Sequence, residues 1–183
     1  VMGYAACERA LSGGNPSCGS VGAGTGATVG KICGMERAMN AGLGMYAVQL
    51  GELRMAAVVA VNALGDIFDP SNGKKIAGLR TADGTAFGDS CEELWKMGQR
   101  DNLFTGNTTI GAVITNGKFT KSQMNKIASM TRNAYARCIR PVGTMADGDS
   151  IYAASAGNVE ADLNVAGTLA AYVMERAIVA AIR

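Results

Sequence analysis

The stretch from Val159 to Ile182 constrains the fold most. It is rich in alanine and apolar on most faces of a helix, interrupted only by polar positions such as Asn164, Glu175 and Arg176. A helix apolar all round belongs between layers rather than at a surface. The same interruptions make it a poor membrane span, and none other is expected. The rest of the chain has to supply the layers, and 183 residues suffice for one substantial core, so residues 1–183 are expected to form a single domain.

Upstream, the pattern changes by block. Val1 to Gly30 reads as loop-rich, ending in the glycine-spaced run Val21 to Lys31. Met45 to Leu50, Arg54 to Leu64 and Ile76 to Leu79 favour β-structure and are separated by Leu50-Gly51-Glu52 and Pro70-Ser71-Asn72-Gly73 turns, a spacing that predicts antiparallel hairpins. Ser90 to Gln99 has a helix start with Ser90 as cap and Glu93 three residues on. Thr109 to Thr115 and Ser150 to Ala156 read as strands. Thr120 to Arg140 carries helical periodicity through Met124, Ile127, Ala128, Met130, Ala134 and Cys138 before Pro141. Strands and helices in separate blocks predict a layered α+β or α/β fold.

Charge excludes some functions. Lys and Arg total 17 against 15 Asp and Glu, with no long block of either sign, so neither a nucleic-acid nor an anionic-membrane partner is expected. Five cysteines, at 7, 18, 33, 91 and 138, have no C-x-x-C spacing. They are expected to be reduced, mostly buried thiols in a cytoplasmic protein without a signal peptide.

The chain contains no histidine, so neither a Ser-His-Asp triad nor a Cys-His pair can be assembled. A nucleophilic hydroxyl would need a lysine, a carboxylate or a freed α-amine as base. An N-terminal threonine carries such an amine itself, with a pKa of about 7.7 to 8.0. Gly106-Asn107-Thr108-Thr109-Ile110-Gly111 sets hydroxyls directly before an apolar run. The glycine loop does not match a P-loop, having Thr25 and Ile32 where Gly and Ser or Thr are needed, nor a dinucleotide fingerprint, with Ala27 in place of glycine. It either aims Lys31 into a site or forms a structural turn. Asn62, inside an apolar run, either joins a structural hydrogen-bond network or points at developing charge. The carboxylates of Asp147 and Asp149 share a face if that segment is extended, and otherwise belong to a solvated turn. Ser71-Asn72-Gly73-Lys74 formally matches S-x-x-K, but turn chemistry accounts for it.

Together, Met2-Gly3-Tyr4, the Val21 to Lys31 loop, Val59 to Asp66, Asn107 to Gly111 with Thr115-Asn116, and Asp147-Gly148-Asp149 resemble the L-aminopeptidase/D-esterase family. That group of self-processing peptidases includes β-peptidyl aminopeptidases and nylon-oligomer hydrolase. The resemblance implies an αββα sandwich of N-terminal-nucleophile type, of which this chain is expected to be a C-terminal portion. It implies autocleavage between Asn107 and Thr108, giving fragments 1–107 and 108–183, with Thr108 as nucleophile. Lys31 and Asn62 would stand beside it, Asn62 stabilising the oxyanion. Tyr4 would line the substrate site, and Asp147 and Asp149 would surround the new amine. It further implies a small peptide or amide substrate, no metal or organic cofactor, and homo-oligomers, often tetramers of processed pairs. Two alternatives stand beside this reading: cleavage by cyclisation of Asn107, and a catalytically inactive family fragment serving as an assembly or binding module.

Overall fold

The computed structural model describes residues 2–13, 17–98 and 106–182. In chain order its elements are α1 (Met2–Leu11), β1 (Thr28–Val29), β2 (Met39–Asn40), β3 (Leu43–Leu50), β4 (Leu53–Ala60), β5 (Asp66–Asp69) and β6 (Lys74–Ala77). They continue with α2 (Ser90–Met97), β7 (Ile110–Gly117), α3 (Lys121–Cys138), β8 (Ile139–Arg140), β9 (Ser150–Val159) and α4 (Leu163–Ala180).

A four-stranded sheet in the order β3-β4-β7-β9 carries α3 and α4 on one face. The first three strands are antiparallel neighbours, and β9 runs parallel to β7. Strand alternation explains the layering. Met55, Ala57 and Val59 of β4 and Val113 of β7 are buried toward the helices, where they meet Ala170, Val173, Met174, Ala177 and Ile178 of α4 and Ile127, Ala134 and Tyr135 of α3 in one core. Gly44 of β3 permits the closest approach, because a Cβ there would collide with the Ala177 backbone of α4. The opposite face is uncovered, leaving Ile110, Ile114 and Tyr152 between 46 and 65% exposed. Two of the four layers of an αββα sandwich are thus present among the described residues.

A second, three-stranded sheet, β6-β5-β8, is tied down through Asp66. That buried carboxylate pairs with Lys75 at 2.6 Å and accepts from the Leu79 N–H, the Ser90 N–H and the Ser90 hydroxyl.

Most of the expected elements form, with informative shifts. Residues 2–11, expected as loop, form α1. Their Ala, Met, Glu, Arg and Leu are good helix formers, and none of α1 is buried. The β4 run ends at Ala60, and Val61 to Leu64 leave the sheet. Ser90 does not cap α2: Asp89 does, accepting from the Cys91 and Glu92 N–H groups, while Ser90 is drawn to Asp66. Gln99 lies outside the described residues. Residue 159 closes β9 rather than opening α4, which Asp162 caps. By length and composition α4 could cross a membrane; half of that span is buried inside this fold. The cysteines are free, as expected, but only Cys138 is buried, because Cys7 and Cys18 lie on exposed segments.

Candidate active site

Sheet topology gathers the site at one end. Since β4 runs antiparallel to β7, the chain leaving Ala60 emerges beside Ile110, where β7 begins. Since β9 is parallel to β7, its lead-in, Asp147 to Asp149, arrives at the same end. Asn62, Asn107, Thr108 and both aspartates are thereby brought together although distant in sequence. Lys31 joins them through the loop after β1, whose Gly30 and Lys31 N–H groups donate to the Gly65 and Leu64 carbonyls. Gly30, at φ +70°, lies so close to Gly78 and Leu79 that no side chain fits.

Asn62 is fixed by its partners. Its Oδ1 accepts from Lys31 Nζ at 2.7 Å and from the Thr28 N–H at 3.2 Å, which turns Nδ2 to donate to the Gly106 carbonyl at 2.9 Å. The sequence left open a structural network or a site; here the amide lies in a hydrogen-bond network that reaches the Gly106 carbonyl, next to Asn107. Lys31 is 2% exposed. Burial lowers its amine to about 8, with the Asp147 carboxylate acting in the opposite direction.

Asn107 is buried and pairs with Asp147 in a parallel bridge. Its carbonyl oxygen accepts from the Gly148 N–H at 2.9 Å. Thr108 is half-buried, and its hydroxyl lies against Gly148: a Cβ on that glycine would stand 2.7 Å from Oγ1. The Thr109 N–H, which a regular parallel ladder would direct to the Gly148 carbonyl, donates instead to Asp149 Oδ1 at 2.8 Å. Asp149 is raised above the usual carboxylate range, first by burial and further by Asp147, against the lowering effects of the Thr109 N–H and Arg132. Asp147 is held by Thr144, whose N–H and hydroxyl both donate to its Oδ2.

Tyr4 stands apart. It is 72% exposed on α1, and no hydrogen bond or ring contact ties it to this cluster among the described residues. Among the described residues no group of His, Cys, Asp and Glu side chains is arranged to hold a metal ion.

The sequence reading missed three contributors. Tyr135 of α3 is 2% exposed and places its hydroxyl 3.4 Å from both the Thr109 and Ser150 carbonyls, beneath the start of β7 and β9. Its place on the apolar face of α3, between Thr131 and Cys138, was the available signal. Arg132 acts on Asp149 from the same helix. The Gly148 N–H carries no side-chain signal at all.

The fold that gathers these groups at one end of the sheet has counterparts among solved structures. The L-aminopeptidase D-Ala-esterase/amidase of Ochrobactrum anthropi, described as a variant of the Ntn hydrolase fold, superposes with a TM-score of 0.59 at 18% identity, over 95% of this chain and 47% of that one. A Burkholderia sp. beta-aminopeptidase gives 0.56 at 18% identity, over 95% and 49%. The chain therefore shares the fold of these two proteins. Residues 2–183 match peptidase family S58, and the chain belongs to that family. It is 32% identical over 168 residues to an uncharacterized aminopeptidase of Mycobacterium leprae, covering 87% of this chain and 44% of the relative. It is 31% identical over 166 residues to a 6-aminohexanoate-oligomer endohydrolase of a Kocuria species, covering 87% and 45%. The chain thus spans about half the length of the curated relatives it matches.

Proposed function

We propose that the chain is the nucleophile-bearing part of a self-processing amide hydrolase. The observation that carries this is the placement of the Thr108 hydroxyl against Gly148, at a buried Asn107 carbonyl. Before cleavage Thr108 has no free amine, so the base has to come from elsewhere. Lys31, lowered to about 8, has a useful neutral fraction near pH 7 to 8. Thr108 Oγ attacks the Asn107 carbonyl carbon, the amide becomes an ester, and water releases a threonine N-terminus. In turnover the same hydroxyl attacks a substrate amide, its own amine takes the proton, and an acyl-enzyme is hydrolysed. Asn62 donates to the substrate oxyanion once the Gly106 carbonyl has moved away.

The names of the relatives favour peptides or ω-amino-acid oligomers as substrates; homo-oligomers of processed pairs as the working form rest on the family resemblance alone. Denaturing mass spectrometry tests the proposal, with two pieces meeting between Asn107 and Thr108 expected. Thr108→Ala should remain uncut and release no nitroanilide from amino-acyl nitroanilides. Cleavage in Thr108→Ala but not in Asn107→Ala would instead assign the cut to cyclisation of Asn107.

A second reading is favoured by the uncovered sheet face and the half-length match. In it the chain is a catalytically inactive family fragment acting as an assembly or binding module. Nitroanilide release by neither this chain nor one of the relatives' length would support it, whereas release by the longer chain alone would make this chain a fragment of the hydrolase.

A further inference from the structure

We propose that the backbone N–H of Gly148 is the oxyanion donor for the self-cleavage step, a role separate from that of Asn62 in turnover. The inference rests on the self-processing reading above.

Three features of the geometry support it. First, the Gly148 N–H already donates to the Asn107 carbonyl oxygen at 2.9 Å, within the range expected of a donor that will meet a developing oxyanion. Second, the Asn62 amide donates one peptide upstream, to the Gly106 carbonyl, while its oxygen is held by Lys31 and Thr28. Third, the bare Cα of Gly148 allows the Thr108 hydroxyl to lie against the same residue, since an added Cβ would sit 2.7 Å from Oγ1. One glycine thus touches the attacking oxygen and polarises the carbonyl under attack. The parallel bridge between Asn107 and Asp147 holds it in place, so little reorganisation accompanies the reaction.

In the step itself, a bond forms between Thr108 Oγ and the Asn107 carbonyl carbon. The hydroxyl proton passes to the neutral Lys31 amine, and the carbonyl π pair moves onto the oxygen facing the Gly148 N–H. Collapse restores the carbonyl and breaks the C–N bond, and the departing Thr108 nitrogen takes the proton back from Lys31. Water then adds to the ester carbon, the C–Oγ bond breaks with one of the water's protons passing to Oγ and the other to the new Thr108 α-amine, and Asn107 is left as a carboxylate.

Replacing Gly148 with glycolic acid during cell-free synthesis changes only its N–H to an ester oxygen. The control is the equivalent ester at Ser150, whose N–H donates to the Thr109 carbonyl at 3.1 Å in the same ladder, away from the reacting bond. Cleavage is followed by denaturing mass spectrometry after synthesis. The ester at 148 is expected to slow cleavage about 10²-fold or more, with the ester at 150 within a few-fold of the parent. Parent-like cleavage with the 148 ester, or equal slowing by both esters, would overturn the assignment while leaving self-processing intact. A parent chain that stays whole would overturn both.

Discussion

Under the proposed mechanism, Lys31 is the residue on which the pH behaviour of the site turns. Its amine is lowered to about 8 because burial penalises the ammonium more than Asp147 rewards it. Only the neutral amine can accept a proton, and its fraction grows as pH rises. Self-cleavage is therefore expected to accelerate with pH through about 8 and then level off, as followed by mass spectrometry across a buffer series. Lys31→Arg keeps the charge but cannot give up its proton, so it should cleave about 10²-fold or more slowly with no such rise. Residue type alone singled out Lys31, Asn62, Thr108, Asp147 and Asp149 but left structural readings open for Lys31, Asn62 and the two aspartates; the family resemblance joined the five, and the structure brings them to one end of the sheet. The Gly148 N–H and the Tyr135 hydroxyl were not legible, because a backbone donor leaves no trace in residue identity and Tyr135 reads as one more core position of α3. Tyr4 was expected in the site by resemblance only, and it sits on an exposed helix.

Among the elements, β7 shows both what alternation reveals and what it hides. Val113 is fully buried under the helices and Ile114 is 46% exposed on the open face, although both are β-branched aliphatics in one apolar run. A charge at Val113 would be enclosed without a partner, so Val113→Lys should cost at least about 3 kcal/mol in a urea melt. Ile114→Lys should change stability by less than about 1 kcal/mol and reduce the fluorescence of a hydrophobic dye bound to the native chain. The sequence could not distinguish these neighbours, since a strand apolar on both faces reads as one continuous run whether or not its second face is covered. Helices were more legible: α3 and α4 form close to where periodicity put them, because a packed helical stripe repeats over many turns. At α2 the cap shifted by one residue, to Asp89, because Ser90 bonds to Asp66. The short β5 was missed because Asp66 and the preceding Gly65 look like a turn until the rest of the fold supplies the carboxylate's four donors.

At the scale of the whole molecule, Asp66 joins the small sheet, α2 and the segment through Leu79 against which the Lys31 loop rests. Asp66→Ala would leave the nearly buried Lys75 ammonium without its carboxylate partner and should cost about 3 to 5 kcal/mol, read by urea denaturation, with Asp66→Asn recovering part of the loss. The position of the expected cut relative to the sheet has a different consequence. The peptide bond between Asn107 and Thr108 lies just before β7, a strand paired on both sides, with β3 and β4 upstream of it and α3, β9 and α4 downstream. A cut there would divide the sheet between two polypeptides without removing a single strand pairing, turning one chain into an obligate heterodimer. Unfolding would then depend on protein concentration. Refolding would change from a first-order search by one chain to a second-order encounter between two, and a dilute enough solution of the processed protein would lose its fold although no contact within it had weakened.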